Sequence, residues 1–238
     1  MLRKDEGPCP FKCIYTSDKS SWESPANTKL SHLKKFPADY FNLTATYRMD
    51  SDLSLPYARV VAKNRTEDIN DIISKKTKIA FLLISNCKTH SKREFITEDL
   101  GKYMNMTSYG RCYNKPCDKK CENDAIESHY FFFAFENSVC RDYVTEKFFR
   151  LRRGVVPVVL ARKVVEHIAP PGSFIALDDF VSPQDLAEYL NLVANNRTAY
   201  EAYFEWMRSY DVLDGEQGAF GGSTTDVLRI LRFCWILR

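Results

Sequence analysis

The sequence predicts an α/β domain whose parallel sheet carries helices on both faces, and two observations lead to this prediction. Apolar runs typical of buried strands recur along the chain, at 78–85, 129–136, 155–161 and 173–180. Segments with helical character lie between and after these runs, in the order β-α-β-α-β-β-α-α. The Gly-rich phosphate-binding patterns GxxxxGK[ST] and GxGxxG do not occur in the sequence.

The elements before the aromatic run at 129–136 are predicted as follows. Residues 1–40 are polar and irregular, 41–57 form a strand with a charged turn, and 64–76 are a polar linker that could hold one short helix. A helix is expected over 91–104, with apolar side chains roughly on one side: Phe95, Leu100 and Tyr103. The cysteine-rich segment 110–124 is expected to be a loop.

The second half of the chain continues the alternation. A helix is predicted over 143–152, ending at Gly154. The stretch 182–195 opens with Ser182 as N-cap and Pro183 at the first helical position, which is typical of a helix start. A further helix follows from Thr198.

Composition and charge exclude several classes of protein. The 238 residues are 45% hydrophobic and 27% charged, which is ordinary for a globular protein. The net charge of +3 is too small to indicate nucleic-acid binding. Apolar runs stay below the roughly 18 residues that a membrane-spanning helix needs, and the N-terminus lacks the apolar region of a signal peptide.

Cysteines and sequons point to an oxidising compartment. The eight cysteines include two groups of close neighbours, and the four histidines are scattered, so disulfides are favoured over zinc. Four Asn-x-Thr sequons are candidate glycosylation sites: Asn42, Asn64, Asn105 and Asn196. Four sequons beside clustered cysteines favour a secretory lumen.

Polar and charged residues crowd the segment that follows the aromatic strand. The stretch FENSVCRDYVTEKFF, at 135–149, contains Asn137, Arg141, Tyr143, Glu146 and Lys147. Open α/β sheets bind ligands at the carboxyl ends of their strands. The sequence therefore predicts a ligand site in this turn.

This stretch resembles the signature of the α1,3-fucosyltransferases, glycosyltransferase family 10. Further segments resemble that family in its order: WESP at 22–25, FNLTATYRMDSD at 41–52, ISNCKTHSKRE at 84–94, GVVPVVL at 154–160 and APPGSFIALDDFVSPQDLAEYL at 169–190. The resemblance implies a GT-B fold, in which two Rossmann-like domains face each other across a cleft. It also implies inverting transfer of L-fucose from GDP-β-L-fucose to a sugar hydroxyl, without a required metal, by a Golgi type II membrane protein.

The resemblance gives roles to particular residues. Glu23, in WESP, matches the family's general base, which removes the proton of the acceptor hydroxyl. Arg93 and Lys147 match positions that contact the phosphates of the donor, where cations stabilise the leaving group. Glu146 suits the donor hydroxyls, and two further residues match donor-site positions: Asn137 and Tyr143.

Two local arguments supplement these roles. Asp178 and Asp179 would point to opposite faces of a strand and so could not hold one metal ion together. A pair between Glu146 and Lys147 is disfavoured on a helix, because neighbouring residues do not face each other there.

The sequence departs from the family pattern in three ways. Only 22 residues precede Glu23, so we expect a remnant of the acceptor-side domain at 1–62, a GDP-fucose-binding domain at 63–210 and an atypical tail at 211–238. The membrane anchor would lie upstream of this chain. The helix before Gly154 is about two residues short, and ARKVVEH replaces a Gly-Gly-Ala type turn.

Two alternatives remain open from the sequence. The acceptor sugar could be the core N-acetylglucosamine of an N-glycan or the N-acetyllactosamine of Lewis-type glycans, carried on a glycoprotein or a glycolipid. The chain could instead be catalytically inactive and act as a GDP-binding or regulatory partner.

Overall fold

The computed structural model describes residues 45–51, 53–63 and 69–214. Its strands are β1 (Ala45–Thr46), β2 (Leu53–Ser54), β3 (Ala58–Ala62), β4 (Lys78–Leu83), β5 (Met106–Tyr109), β6 (His129–Phe133), β7 (Val156–Val159), β8 (Ile175–Ala176) and β9 (Tyr210–Asp214). Its α-helices are α1 (Asn70–Ser74), α2 (Arg93–Leu100), α3 (Lys119–Ser128), α4 (Arg162–Val165), α5 (Pro183–Ala194) and α6 (Arg197–Glu201). None of the helices in these ranges is long and apolar enough to cross a membrane.

A five-stranded sheet forms the centre of the described domain, in the order β5-β4-β6-β7-β8. Every pair in it is parallel, which confirms the predicted α/β class. In chain order the strands read 2-1-3-4-5, so the direction of winding reverses between β4 and β6. Ligands of open α/β sheets bind at the carboxyl ends of the strands at such a reversal.

The aromatic strand β6 lies at the centre of the sheet because both of its faces are apolar. Phe131, Phe132 and Phe133 are each at most 3% exposed. The ring of Phe132 packs against Phe81 of β4 with 4.7 Å between centroids. The buried Tyr200 hydroxyl donates a hydrogen bond to the Tyr130 carbonyl at 2.8 Å, so α6 is fixed to the same strand.

Helix α5 begins where the sequence predicts. The Ser182 hydroxyl accepts a hydrogen bond from the Asp185 amide at 3.2 Å, and Pro183 occupies the first turn. Leu186, Leu190 and Val193 recur at helical spacing and are at most 1% exposed. Their burial places α5 against the core.

The segment 110–124 is not a simple loop. It ends in α3, whose N-cap Asp118 accepts a hydrogen bond from the Cys121 amide at 2.8 Å. The helix is mostly polar, with Ala125 and Ile126 as its buried residues, so its apolar pattern is too weak to indicate a helix from sequence. The predicted helix over 91–104 likewise ends at Leu100, and strand β5 follows at the edge of the sheet.

Two further elements are shorter than predicted. The expected helix over 143–152 is a turn followed by a 3-10 helix at Phe148–Arg153, although it does end at Gly154, where φ is 82°. A Cβ on Gly154 would lie 2.5 Å from a side-chain atom of Ile72, so this end requires glycine. The expected strand over 173–180 is reduced to β8, because a 3-10 turn begins at Leu177.

Strands from both ends of the described region pair with each other. β3 and β9 form a two-stranded antiparallel sheet, with Ala58 opposite Asp214 and Ala62 opposite Tyr210. β1 and β2 form a separate short parallel pair. The division into domains ending at 62 and 210 stays a prediction, and β3 and β9 lie at those two boundaries.

The buried His129 makes stability depend on pH. Its Nδ1–H donates to the Ala125 carbonyl at 2.7 Å, and its Nε2 accepts from the Thr107 hydroxyl at 2.8 Å. Burial lowers the pKa of His129 to about 4, so the folded ring stays neutral where the unfolded one, with an ordinary pKa near 6.5, is protonated.

We therefore expect acid to destabilise the native protein more than a His129→Gln variant. The unfolded chain binds the extra proton between pH 6.5 and 4.5, and the stability present above pH 6.5 is lost progressively as the pH falls. This should cost the native protein about 2–3 kcal/mol more than the variant. Urea unfolding of both proteins at pH 6.5 and at pH 4.5 measures this difference in the free energy of unfolding. An equal loss of stability in the native protein and the variant would contradict the prediction.

Candidate functional site

Two turns meet at the carboxyl ends of β4 and β6, where the winding of the sheet reverses. The Ser91 amide donates to the Asn137 carbonyl at 3.0 Å, and the Ser91 hydroxyl donates to the Glu136 carbonyl at 2.7 Å. The two hydrogen bonds of Ser91 join the turns into one rigid rim. Arg93 is the first residue of α2 and is only 2% exposed.

Arg93 stabilises this rim through contacts with backbone carbonyls. Its Nη1 donates to the Phe135 carbonyl, and its Nη2 lies 3.5 Å from the Asn86 carbonyl. Its Nε is buried with no hydrogen-bond partner among the described residues. Burial lowers the pKa of Arg93, and the nearby carboxylates of Glu136 and Glu94 act in the opposite direction.

Glu136 is the centre of the polar network in the turn after β6. Its Oε1 accepts hydrogen bonds from the Thr145 amide at 2.8 Å and the Thr145 hydroxyl at 2.6 Å. Its Oε2 accepts from Lys147 Nζ at 3.0 Å, in a pair whose side chains are 18% and 12% exposed. Sequence reasoning did not select Glu136, although its place directly after the strand was a usable signal.

The ammonium of Lys147 is therefore held at the rim by its neighbours. A second carboxylate, that of Glu146, lies 3.4 Å from Nζ, so the expectation that these two residues would not pair is wrong. The reason is that 143–147 form a turn rather than a helix. Glu146 is exposed, and while desolvation acts in the opposite direction, the charges of Lys147 and Arg150 hold its pKa below the ordinary value.

Asn137 also belongs to this rim. Its Oδ1 atom is buried without a hydrogen-bond partner among the described residues, and the same holds for the Ser138 hydroxyl. Buried polar atoms are usually paired, so a water molecule or a ligand group can complete unpaired ones at the end of a strand. A small cavity of about 20 Å³ is lined by Glu136, Ser138 and Tyr143 among others.

Tyr143 is fixed by aromatic neighbours from the N-terminal side. It is 3% exposed, and its ring contacts Tyr47 at 5.2 Å and Tyr57 at 6.4 Å between centroids. Packing alone would explain such a residue. Tyr143 thus joins the turn after β6 to the 45–57 segment.

Asp142 connects three segments around the site. It adopts a left-handed backbone conformation with φ of 62°, and its carboxylate accepts from the Met49 amide at 2.9 Å and from His167 Nε2 at 2.7 Å. Although burial acts in the opposite direction, these two bonds lower the pKa of Asp142. Sequence reasoning missed this residue, because its partners lie 93 and 25 positions away.

Asp178 and Asp179 do not point to opposite faces as expected. They lie in the 3-10 turn Leu177–Asp179, and both contact Arg162. The Arg162 amide donates to Asp178 Oδ1 at 2.8 Å, and its guanidinium donates to both carboxylate oxygens of Asp179. Both aspartates therefore anchor the start of α4, in the ARKVVEH segment.

Other sequence predictions fall partly within the described residues. Disulfides link Cys87 to Cys112 and Cys117 to Cys121, which confirms the preference for disulfides. Asn105 is exposed, and Asn196 is exposed and caps α6 through its Oδ1. Three predicted positions lie outside the described residues: Glu23, Asn42 and Asn64. In the part of the chain that the structure covers, His, Cys, Asp and Glu form no cluster able to hold a metal ion.

The arrangement is suited to an anionic ligand. Lys147 offers an ammonium group at the rim, and Arg93 holds the rim together through its bond to the Phe135 carbonyl. Charge-assisted hydrogen bonds of this kind are the usual means of binding phosphate groups.

Comparison with known proteins places the chain in a family. Residues 73–237 match Glycosyltransferase family 10 (fucosyltransferase) C-term. The chain is 40% identical over 230 residues to alpha-(1,3)-fucosyltransferase fut-1 of Caenorhabditis elegans, covering 92% of this chain and 51% of that protein. It is 38% identical over 193 residues to the human 4-galactosyl-N-acetylglucosaminide 3-alpha-L-fucosyltransferase FUT5, covering 78% and 50% respectively.

The chain thus spans about half the length of these curated relatives. A solved structure described as alpha1,3-fucosyltransferase with GDP-fucose is similar over 56% of this chain and 39% of its own, with 21% identity and a TM-score of 0.46. The match to the family over residues 73–237 includes the whole rim from Arg93 to Lys147. The chain belongs to glycosyltransferase family 10, the fucosyltransferases.

Proposed function

We propose that this chain binds GDP-β-L-fucose at the rim between β4 and β6 and serves in α1,3-transfer of fucose to N-acetylglucosamine. The observation that carries the proposal is the junction itself, where the turns that hold Arg93, Asn137 and Lys147 are joined at the reversal point of the sheet. Relatives named as α1,3-fucosyltransferases support the choice of sugar and linkage.

In this proposal each residue of the rim has a distinct role. Lys147 stabilises the negative charge that grows on the pyrophosphate as the bond to fucose breaks. Asn137 and Tyr143 position the nucleotide sugar, and Glu146 accepts hydrogen bonds from fucose hydroxyls. Arg93 contributes through the field of its guanidinium and by holding the rim together.

Glu23 acts as the general base of an inverting displacement. It takes the proton of the acceptor hydroxyl while that oxygen attacks the anomeric carbon, and GDP leaves from the opposite face. One attack from the face opposite the leaving group converts the β-linked donor into an α-linked product. Because cationic side chains serve the leaving group, we propose that no metal is required and that a divalent cation is at most stimulatory.

The cellular setting completes the proposal. The acceptor is a glycan on a glycoprotein or a glycolipid in the Golgi lumen, and the membrane is reached through an anchor outside this chain. The disulfides among the described residues are consistent with a lumenal compartment.

A transfer assay tests the activity directly. Purified chain is incubated with GDP-fucose and either an N-glycan core or N-acetyllactosamine, with and without a chelator, and products are identified by mass spectrometry. The same assay is run on a fusion that supplies the N-terminal half of the longer C. elegans relative. Fucosylated product that persists with the chelator supports the proposal, whereas no product from either protein contradicts it.

A second candidate function rests on the rim alone. The rim lies wholly within the described residues and would bind GDP without transferring fucose. GDP binding by the 238-residue chain together with product from the fusion alone would identify this function.

Replacing Lys147 by alanine is expected to weaken GDP binding by about 1.5–3 kcal/mol, the usual loss for a hydrogen bond to a charged group. The variant also leaves the Glu136 carboxylate at the rim without its cation, which repels the phosphates. Calorimetric titration with GDP measures the change.

The matched control is Arg152→Ala, which removes a positive charge from the neighbouring 3-10 helix. Arg152 is exposed and is not among the residues of the rim. Equal losses in the two variants would show that only general charge matters and would contradict the role given to Lys147.

A further inference from the structure

An open pocket of about 980 Å³ lies beside the edge strand β5. Its walls come from the second half of α2, from β5 and from the turn Arg111–Tyr113. This pocket has no part in the function proposed above.

Asn105 and Tyr103 both line this pocket. Asn105 is exposed and begins the sequon Asn105-Met-Thr, and Tyr103 precedes it by two residues and is 46% exposed. The apolar C–H face of a sugar ring packs well on an aromatic ring, which has an apolar body and a polar tip. An aromatic side chain at this spacing can therefore contact the first sugar attached to Asn105.

Other polar side chains that line the pocket are partners for the same sugar. Tyr113 is 38% exposed, Glu98 is exposed in α2, and Lys102 is exposed just after that helix. Hydroxyl, carboxylate and ammonium groups can bond the hydroxyl and acetamide groups of N-acetylglucosamine. The pocket therefore combines a stacking surface with donors and acceptors, as a saccharide site requires.

The pocket also contains a disulfide, a bond typical of the compartment where N-glycosylation occurs. Cys87 and Cys112, which form a disulfide, are both part of its wall. Disulfides persist in the oxidising secretory route, where sequons are modified. The sequon and the disulfide thus point to the same environment independently.

A glycan here would protect an exposed sheet edge. Within the described residues β5 pairs on one side only, with β4. Exposed edge strands invite pairing with other chains, and natural proteins cover or blunt them. A bulky polar group next to β5 would do this.

The folded state bears on the order of events if Asn105 is modified. The hydroxyl of the sequon Thr107 donates to Nε2 of the buried His129 and is therefore occupied once β5 has joined the sheet. A glycan on Asn105 would therefore be added before β5 docks.

We propose that Asn105 carries an N-linked glycan whose first N-acetylglucosamine packs against Tyr103 in the pocket beside β5. The occupant of the pocket is thus a modification of the chain itself. The proposal does not depend on fucose transfer, so either can fail while the other stands.

The test uses the full chain secreted from insect cells behind a cleavable signal. Glycopeptide mass spectrometry reports whether Asn105 is occupied. Thermal unfolding is then compared for the native protein, Asn105→Gln, Tyr103→Leu and the double variant. If the sugar stacks on Tyr103, losing the glycan should lower Tm by about 2–4 °C in the native background and by clearly less in the Tyr103→Leu background.

A second sequon provides the matched control. Thr198→Ala removes the sequon of Asn196 but keeps the asparagine that caps α6. Its effect on Tm should be the same whether position 103 is tyrosine or leucine. An unoccupied Asn105, or an equal loss of Tm on removing its glycan in both backgrounds, would overturn the proposal.

Discussion

Replacing Glu23 by glutamine is expected to lower the turnover number for fucose transfer by about 10²–10⁴-fold, the usual contribution of general acid–base catalysis. Glutamine keeps the size and a hydrogen-bonding oxygen but does not accept the proton of the acceptor hydroxyl. The affinity for GDP-fucose should change little, because the proposed base acts on the acceptor. The change should thus appear in kcat rather than in the KM for the donor.

Glu146→Gln provides the contrasting variant in the same assay. Glu146 lies on the rim with its carboxylate 3.4 Å from Lys147 Nζ, so under the proposed role its loss should raise the KM for GDP-fucose. Both variants are best measured in the chain and in the fusion with the N-terminal half of the C. elegans relative. Near-normal turnover by Glu23→Gln, with turnover lost in Glu146→Gln, would transfer the role of base to Glu146.

Removal of the Cys87–Cys112 disulfide should cause the largest loss of stability. The bridge joins residues 25 positions apart, and the entropy of closing a loop of that length corresponds to about 3.5 kcal/mol. It also ties the segment after β4, which carries the Asn86 carbonyl contacted by Arg93, to the turn after β5. A double replacement by serine should therefore lower the free energy of unfolding in guanidinium chloride by roughly that amount.

The second disulfide is the matched control. Cys117 and Cys121 are only four positions apart, so their replacement by serine should cost less, about 2 kcal/mol. The two double variants remove the same number of sulfur atoms and differ chiefly in loop length. If both lose the same stability, loop closure does not explain the contribution of the longer bridge.

The parts of the fold predicted correctly are those that the local sequence encodes. The runs at 78–85 and 129–136 are short, largely apolar on both faces and rich in aromatic or branched residues, which favours buried strands. Helix α5 has a cap, a proline and a regular apolar face within 14 residues, at 182–195. The edge strand β5 was missed because its four residues are all half-buried and carry no strong pattern.

The candidate site was predicted from the order of residues along the chain. The residues that the prediction missed depend on contacts between distant segments. The crowding of polar residues after β6 indicated Asn137, Tyr143 and Lys147. The contact between Arg93 and the Phe135 carbonyl depends on residues 42 positions apart, and so does not follow from the sequence of the turn. Asp142 was missed for the same reason, since its partner Met49 lies in another segment.

The wrong prediction of a helix at 143–152 also led to a wrong prediction about the pairing of Glu146 with Lys147. On a helix Glu146 and Lys147 would point apart, but in the turn both carboxylates, Glu136 and Glu146, lie within 3.4 Å of the ammonium. The turn forms because Glu136 accepts two hydrogen bonds from Thr145, which fixes the chain in a non-helical conformation.

The central claim is that the rim between β4 and β6 binds the pyrophosphate of GDP, and titration of the native chain with GDP and with guanosine tests it most directly. Calorimetry should show one GDP site per chain, with guanosine bound at least about tenfold more weakly because it lacks the charge that Lys147 pairs with. Equal affinity for the two ligands, or no binding of GDP at millimolar concentration, would contradict the claim.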